Sequence, residues 1–386
     1  MKRRLTMLAK PLKIFVDAHA FDSGYQGTQT FIRELYTGLI DSHPELDIYW
    51  GAYHTERIQA AFPSVKTTNI LPYKKANGGL GRFLFDIPSY LKKYRFDFAH
   101  FQYLAPAKQG NCRYIVTLHD VLFNTFPGDF SFIYRASRNF LFGNSIKNAA
   151  IKTTVSAYSK QHIADDYCIA ASKIHVIPNG VNKALAQQNY NKAEAADVVL
   201  GKFGISNFVL YVSRIEPRKN HALLLKKHIG LGLFERNIAL VFIGNESVKV
   251  PELQLLIKTL TPKQQALFFW LPQVSQPDLA AFYTACRLFV YPSKAEGFGI
   301  PPLEAAICKA PVLCSSATAM SCYDFFEPYT FDPENETDFE QKFLDMINKP
   351  TPDSHLDHVA DTVANQYQWK HSSELFYNLL QADQLT

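Results

Sequence analysis

Two carboxylates flank a glycine-containing turn in the stretch SKAEGFGIPPLEA, at residues 293–305. Glu296 lies in the turn, and Glu304 follows eight positions later in a helix that we predict to begin near Ile300. Gly299 lets the backbone approach a ligand closely, and the amides near Ile300 would stabilise an anion at the helix N-terminus. Ionised carboxylates repel phosphate but accept hydrogen bonds from sugar hydroxyls. The stretch therefore predicts a ligand that carries both groups, such as a nucleotide-sugar.

A group of cations occupies residues 213–220, SRIEPRKN, directly after a predicted strand. Arg214 can hold a pyrophosphate through its bidentate guanidinium, and Lys219 can hold it as a point charge. Either cluster alone is compatible with an ordinary solvated loop, but two clusters after strands of one domain favour a diphosphate site. The sequence has no Asp-x-Asp element in a suitable loop and its histidines are scattered. We therefore predict that Arg214, Lys219 and helix amides bind the diphosphate, with no obligatory metal ion and no cofactor.

Functional side chains of parallel sheets lie just beyond the carboxyl ends of the strands. His119 ends a strand predicted at 114–119, and Gly244 ends one predicted at 238–244. A histidine at such a position is, taken alone, more often a buried and hydrogen-bonded residue than a catalyst. Asp120 follows His119 and either orients its ring or simply ends the strand.

Short β-rich runs alternate with helical patterns twice along the chain, which is typical of βαβ units and parallel sheets. Helices are expected at 28–40 and 132–147, and residues 178–207 break the rhythm like an interdomain connection. We predict an α/β protein with two Rossmann-like domains facing across a cleft. Their expected bounds are 1–190 together with a C-terminal helix at about 369–386, and 191–368. The predicted strands are 14–18, 47–50, 97–101, 114–119, 153–156 and 174–177, then 208–213, 238–244, 268–271, 288–291 and 312–314.

The composition excludes several classes of protein. The chain has 386 residues, of which 47% are hydrophobic and 19% charged, so it can form two cores and is not disordered. No apolar run approaches the roughly 18 residues that span a bilayer, and Asp17 interrupts the apolar run that follows the basic start. Six cysteines without a C-x-x-C pair indicate buried thiols in a reducing compartment. We therefore expect a cytoplasmic protein.

Charge is distributed unevenly along the chain. Residues 1–200 carry 24 Lys and Arg against 15 Asp and Glu, whereas residues 201–386 carry 16 against 20. Aromatic residues do not alternate with the basic clusters, which argues against nucleic-acid binding. The basic half is compatible with a solvated face or with peripheral contact at the inner face of an anionic membrane. Residues 81–96 are a candidate for that contact, and an amphipathic helix packed on the first sheet is the alternative. The face in question comprises Phe83, Ile87, Tyr90, Leu91 and Tyr94.

The two motifs resemble those of the retaining GT-B glycosyltransferases, specifically the large family of bacterial mannosyltransferase-like enzymes. The resemblance rests on RIEPRKN at 214–220 and on EGFGIPPLEA at 296–305, in which seven residues separate two glutamates. It extends to Asp17 and Ala18, to residues 24–28, to His119 with Asp120 and to the Pro-Asn-Gly at 178–180, and so covers nearly the whole chain. One departure is that the loop SGYQGTQTF lacks the arginine that many relatives carry. Any role carried over to this loop is therefore confined to the backbone of Gly27 and Thr28.

The resemblance implies a role for each site residue. Arg214 and Lys219 would bind the donor diphosphate, Glu304 the ribose hydroxyls and Glu296 the donor sugar. His119 would lie beside the donor sugar and bind a hydroxyl or stabilise the oxocarbenium-like transition state. The predicted catalytic residues are His119, Glu296, Arg214 and Lys219. The predicted donor-binding residues are Arg214, Lys219, Gly299, Ile300, Glu304, Gly27, Thr28 and Gly244.

The expected reaction is retaining transfer of a sugar, mannose from GDP-mannose, to a saccharide or lipid-linked saccharide acceptor in bacterial surface polysaccharide or lipopolysaccharide synthesis. Three alternatives stay open, namely a UDP-sugar-dependent transferase, a non-catalytic nucleotide-binding module and a nucleotide-sugar epimerase. A glycosidase that uses Glu296 and Glu304 is disfavoured, because hydrolysis does not require diphosphate-binding cations.

Overall fold

A computed structural model describes residues 11–22, 27–75, 78–188 and 190–384. The described residues form two compact units. The first contains the chain up to Asn179 together with the segment from Trp369 onward, and the second contains Gly180–Gln368.

The elements follow one another in the order that the sequence patterns predict, with strands and helices alternating. The strands are β1 Lys13–Asp17, β2 Asp47–Ala52, β3 Ile70–Pro72, β4 Phe98–Gln102, β5 Arg113–Thr117, β6 Ile151–Thr154, β7 Ile174–Val176, β8 Phe208–Val212, β9 Ala239–Ile243, β10 Phe268–Leu271, β11 Leu288–Tyr291, β12 Val312–Ser315 and β13 Thr330–Phe331. The helices are α1 Gly27–Ser42, α2 Thr55–Ala61, α3 Gly78–Gly81, α4 Ile87–Tyr94, α5 Leu122–Thr125, α6 Phe132–Asn148, α7 Ala157–Tyr167, α8 Lys183–Ala186, α9 Lys192–Phe203, α10 His221–Gly230, α11 Pro251–Lys258, α12 Pro262–Gln265, α13 Gln276–Ala285, α14 Ile300–Ile307, α15 Glu336–Asn348, α16 Asp353–Gln366 and α17 Trp369–Gln384.

The first unit is built on a seven-stranded parallel sheet in the order β3-β2-β1-β4-β5-β6-β7. Its central strands are apolar and buried, as expected for a sheet covered on both faces; Phe15, Val16 and Ile115 have no exposed surface. The strand order changes direction between β1 and β4, so the carboxyl ends of these strands form a topological switch point, where ligands of such sheets bind.

The second unit repeats this plan with a six-stranded parallel sheet in the order β10-β9-β8-β11-β12-β13. Here the direction changes between β8 and β11, which are paired in parallel through Leu288 and Val209. The prediction of two parallel-sheet α/β domains is therefore confirmed.

The last helix, α17, belongs to the first unit, as predicted. The Ser373 hydroxyl donates to the carbonyl oxygen of Leu35 in α1 at 2.8 Å. Gly38 makes this approach possible, because a Cβ there would lie 2.3 Å from Ser373 Oγ. The Phe376 ring lies 6.1 Å from that of Tyr36, centroid to centroid.

The boundary between the units differs from the expected one. It lies at Asn179 rather than at residue 190, because the following stretch is tied to the second unit by a 2.9 Å hydrogen bond from Val181 N to Tyr367 O. Residues 178–207, which were predicted to connect the two domains, also contain a regular helix, α9. Its capping box is formed by Asn191 and Glu194.

Residues 81–96 pack as the alternative interpretation predicts. Ile87 and Leu91 are buried in the core of the first unit, and Phe83, Tyr90 and Tyr94 pack against that core. The large apolar side chains that remain exposed in and beside this segment are instead Leu80, Leu84 and Phe85.

Candidate functional site

The predicted cation and carboxylate meet at the switch point of the second sheet. Lys219 ends the short turn after β8, and Glu296 lies in the loop after β11. Lys219 Nζ and Glu296 Oε1 are 2.5 Å apart, and the Tyr291 hydroxyl donates to the same carboxylate oxygen at 2.8 Å. Lys219 is 7% exposed and Glu296 6% exposed, so this is a buried ion pair.

The surroundings keep the carboxylate charged. Burial raises the pKa of Glu296, but the positive charges of Lys219 and Arg218 outweigh burial and hold that pKa at about 2. Burial lowers the pKa of Lys219, and the charge of Glu296 opposes this effect. The site therefore presents an ionised carboxylate at neutral pH, suited to accepting hydrogen bonds from hydroxyl groups.

Arg218, which the sequence analysis left without a role, supports the Glu296 loop. Its Nη1 donates to the carbonyl oxygen of Ala295 at 2.6 Å and lies 3.4 Å from Glu296 Oε2. Its Nη2 lies 3.0 Å from Glu216 Oε2. Arg214, the predicted diphosphate ligand, also pairs with Glu216, at 3.1 Å, and its side chain is 52% exposed. Arg214 is thus an accessible cation beside the buried ion pair.

Glu304 lies on α14, separate from the ion pair. The Tyr283 hydroxyl donates to Glu304 Oε2 at 3.1 Å. Burial raises the pKa of Glu304 to about 7, and this hydrogen bond only partly offsets the rise. Gly299 precedes the helix with a φ of 88°, a left-handed conformation that favours glycine, and Ile300 begins the helix. The amides predicted to meet an anion therefore do lie at a helix N-terminus.

Gly244 has a clear structural role. Its φ is 146°, and a Cβ there would lie 2.1 Å from the Ser213 carbonyl oxygen. The Gly244 carbonyl accepts a 2.8 Å hydrogen bond from Trp270 Nε1. Glycine at this position lets the loops after β8 and β9 approach closely, and its predicted contact with the donor stays a prediction.

His119 follows β5 in the first unit and is 9% exposed. Its Nε2 hydrogen-bonds to Gln102 Oε1 at 2.8 Å, and its ring lies edge-on to Phe31 at 5.0 Å between centroids. Burial lowers the pKa of His119 to about 4, so the ring is neutral at physiological pH. Asp120 accepts a hydrogen bond from Leu122 N at 3.2 Å. Gln102, the last residue of β4, holds the His119 ring, and no sequence motif signalled it.

A buried hydrogen-bond chain links His119 to His100 through Gln102, and the Gln102 amide orientation in this structure assigns the hydrogens as follows. Gln102 Nε2 lies 3.0 Å from His100 Nε2, while Gln102 Oε1 faces His119. An amide nitrogen only donates, so His100 Nε2 is an acceptor and His100 Nδ1 carries the hydrogen that reaches the Tyr36 hydroxyl at 2.8 Å. A carbonyl oxygen only accepts, so His119 Nε2 carries the hydrogen. His119 Nδ1 is then the acceptor of the neutral ring.

The remaining predicted residues lie at the start of α1. Gly27 and Thr28 open this helix, so their backbone amides belong to a first turn whose N–H groups lack partners within the helix. Gly24, part of the motif that resembles the family, is outside the described residues. Within the described ranges, no group of three or more His, Cys, Asp or Glu side chains could hold a metal ion. Within the same ranges, no helix has both the length and the apolar character needed to cross a membrane.

Comparison with protein families gives one match for each half of the chain. Residues 25–185 match the family described as Glycosyltransferase Family 4, and residues 175–364 match Glycosyl transferases group 1. A curated relative is the O-antigen chain mannosyltransferase RfbU of Salmonella typhimurium, 31% identical over 52% of this chain and 51% of the relative. The chain thus spans about half the length of this relative.

Solved structures resemble the chain over almost its full length. Sucrose-phosphate synthase from Thermosynechococcus elongatus superposes with a TM-score of 0.74 at 16% identity, covering 96% of this chain and 98% of that one. Anabaena HepE, solved in complex with UDP-glucose, superposes with a TM-score of 0.72 at 15% identity, covering 96% and 99%. At these identities the likeness concerns the fold, and it is the fold that the sequence motifs predicted.

Proposed function

We propose that the chain is a group 1 glycosyltransferase of GT-B fold, and that it transfers a sugar from a nucleotide-sugar to a saccharide acceptor with retention of configuration. The proposed donor is GDP-mannose, and the proposed setting is bacterial surface polysaccharide synthesis. The relative RfbU, named an O-antigen chain mannosyltransferase, supports the choice of mannose. The single observation that carries the proposal is the buried Lys219–Glu296 pair at the switch point of the second sheet.

Charge arrangement supports a diphosphate leaving group. Negative charge grows on the diphosphate as its bond to the sugar breaks, and Lys219, Arg214 and the amides at Ile300 would stabilise it. The proposed reaction breaks the bond between the anomeric carbon and the phosphate oxygen and forms one to the acceptor oxygen on the same face. The departing phosphate oxygen takes the acceptor proton. No metal ion and no cofactor are required in this proposal.

Two carboxylates and one histidine would orient the donor. The ionised Glu296 is proposed to accept hydrogen bonds from the sugar and Glu304 from the ribose. His119 is proposed to accept a hydrogen bond from a sugar hydroxyl, a role for which its neutral ring and its Nδ1 acceptor are suited. The acceptor is proposed to be a saccharide, free or lipid-linked, used in the cytoplasm at the inner face of the membrane.

A panel of GDP-, UDP- and dTDP-sugars tests the donor, with nucleotide release and the anomeric configuration of the product as readouts. Release from GDP-mannose with a retained anomer is expected. Turnover of a UDP-sugar alone would mean that the chain is a UDP-sugar-dependent transferase and not a mannosyltransferase. This second candidate is considered because HepE, which has a similar fold, was solved in complex with UDP-glucose. Tight nucleotide binding without turnover would indicate a binding module, and donor epimerisation without acceptor an epimerase.

A further inference from the structure

The backbone of Thr318 adopts a left-handed conformation, with a φ of 55°. A β-branched side chain is disfavoured in this conformation, which persists only where the surrounding contacts require it. Thr318 begins a short 3₁₀ helix, Thr318–Cys322, which follows β12 and leads to Tyr323. Residues 318–323, here called the 318–323 segment, lie against the loop that carries Glu296.

The start of the segment holds the backbone of Glu296. Thr318 Oγ1 accepts a hydrogen bond from Glu296 N at 2.8 Å, and Ala319 N donates to Glu296 O at 3.4 Å. Ser315 Oγ, at the end of β12, accepts a hydrogen bond from Ala317 N at 3.2 Å, which ties the approach to the segment to the sheet. The position of the Glu296 carboxylate therefore depends on Thr318 as well as on its own ion pair.

Tyr323 holds the other end of the same loop. Its hydroxyl donates to the Phe298 carbonyl oxygen at 2.6 Å and lies 3.3 Å from the Gly299 carbonyl oxygen. In a trans peptide the N–H group points away from the C=O group, so the amides of Gly299 and Ile300 face away from Tyr323. A diphosphate that meets these amides would therefore approach from the side opposite Tyr323.

Packing keeps the Tyr323 hydroxyl in this place. Tyr323 is 3% exposed, and its ring lies 5.8 Å from that of Tyr367 and 6.1 Å from that of Phe326, centroid to centroid. Met320 is buried and packs on Gly299, where a Cβ would lie 3.0 Å from Met320 Cγ. The side of the segment that contacts the loop is therefore buried and closely packed.

We propose that Thr318 and Tyr323 are positioning residues of the transferase. Thr318 sets the place of the Glu296 carboxylate, and Tyr323 turns the amides of Gly299 and Ile300 toward the donor diphosphate. The inference rests on the proposed function, because it assigns both contacts to the proposed donor site. Neither side chain is proposed to touch the donor.

Calorimetric titration of the full chain with GDP, UDP, guanosine and uridine tests the role of Tyr323. Tyr323→Phe keeps the ring and removes only the hydroxyl, so it should weaken binding of the diphosphates about two- to tenfold. Binding of the nucleosides, which carry no phosphate, should stay the same. Tyr367→Phe is the matched control, because it removes a hydroxyl from the same aromatic group and should bind all four compounds like the unmodified chain.

The titration separates the inference from the proposed function. Equal weakening of diphosphates and nucleosides in Tyr323→Phe would show a structural role, and no weakening of either would show that the hydroxyl does not act on the site. Both results would overturn the role of Tyr323. Failure of the unmodified chain to bind either diphosphate would contradict the proposed function, and the inference with it.

Hydrogen exchange of the ligand-free chain tests the role of Thr318 without any sugar transfer. Thr318→Gly relieves the backbone strain but removes the acceptor of the Glu296 amide, so exchange of that amide should speed up about tenfold or more while the unfolding midpoint is retained. Thr318→Ser keeps the acceptor and should retain slow exchange. Ser321→Ala is the matched control, because the exposed Ser321 hydroxyl donates to the Thr318 carbonyl oxygen and not to the Glu296 loop.

Turnover of the same variants shows whether this contact serves the reaction, measured as nucleotide release from GDP- and UDP-sugars. Thr318→Gly should lower kcat about tenfold or more, whereas Thr318→Ser and Ser321→Ala should keep it near that of the unmodified chain. Unchanged kcat in Thr318→Gly, or an equal loss in Thr318→Ser, would overturn the role of Thr318.

Discussion

At the scale of single residues, Lys219 and Glu296 form a buried ion pair in which we expect each charge to depend on the other for stability. Lys219→Met leaves the buried Glu296 carboxylate with the Tyr291 hydrogen bond and the more distant charge of Arg218, so we expect a loss of about 3 kcal/mol in the free energy of unfolding. The double variant Lys219→Met with Glu296→Gln removes the unpaired charge and should recover most of that loss. Denaturant unfolding measures both variants.

The same pair of variants separates folding from catalysis. If Lys219 stabilises the leaving group, the double variant is stable yet turns over at least about a hundredfold more slowly than the unmodified chain. A stable double variant with near-normal kcat would contradict the role given to Lys219.

Glu304 should make donor affinity depend on pH near neutrality. Its pKa in the folded protein is about 7, raised from 4.5, and the ionised form accepts hydrogen bonds from hydroxyls more strongly. Donor affinity should therefore rise with pH through about 7, by up to tenfold per pH unit on the acid side. The raised pKa also means that ionising Glu304 costs the free protein stability as pH rises from 4.5 to about 7. Calorimetric titration at about pH 6 and about pH 8 measures the affinity, and Glu304→Gln should abolish the dependence.

Gln102 should control the charge of His119. Gln102→Glu places a carboxylate beside the ring and should raise the pKa of His119 from about 4 by about 1–3. NMR titration of the ring nitrogens measures this directly and does not depend on activity. Gln102→Leu is the control, because it removes the hydrogen bond without adding charge. An unchanged pKa in Gln102→Glu would show that Gln102 does not govern the state of His119.

At the scale of elements, the close approach of the loops after β8 and β9 depends on Gly244. A Cβ at Gly244 would lie 2.1 Å from the Ser213 carbonyl oxygen, a backbone atom that cannot easily move away. Gly244→Ala should therefore destabilise the second unit by about 3 kcal/mol. Gly201→Ala is the matched control, since Gly201 lies inside α9 with nothing near its Cβ, and should stabilise by about 0.5–1 kcal/mol. Equal unfolding midpoints for the two variants would remove the steric argument.

Apolar runs predicted most of the strands but missed two short ones, and they did not predict every long helix. The predicted strands overlap the buried parallel strands, because apolar runs of that length are a strong signal. The strands β3 and β13 were not predicted, because Ile70–Pro72 and Thr330–Phe331 are too short to show a pattern. Helix α9 was missed although the Asn191-x-x-Glu194 capping signal was present in the sequence.

The site was predictable in part, for a physical reason. Lys219 and Glu296 were identified because strand ends and motifs point to them. Arg218 and Tyr291, which contact Glu296, and Gln102, which contacts His119, were not identified, because no pattern in the sequence marks these contacts. Such contacts follow from strand order, which the sequence patterns alone do not provide.

At the scale of the whole molecule, the path of the chain makes the first unit depend on its last helix. Phe376, buried on α17, packs against Tyr36 and His100. Phe376→Ala should cost about 3–5 kcal/mol and reduce hydrogen-exchange protection in α1 and β4, while leaving β8 to β12 protected. Phe343 is buried in the second unit, so Phe343→Ala should reduce hydrogen-exchange protection there while leaving α1 and β4 protected. Loss of protection in both units from either variant would mean that they unfold together.

The Lys219–Glu296 pair also bears on which anions can compete for the site. A free phosphate or sulfate offers only negative charge, so drawing Lys219 toward itself would leave the buried Glu296 carboxylate with a weaker counter-ion. A ligand that carries sugar hydroxyls together with phosphate can compensate both partners at once. If Lys219 and Glu296 bind the donor as proposed, the internal carboxylate would act against the binding of inorganic anions and would favour molecules in which phosphate and sugar are joined.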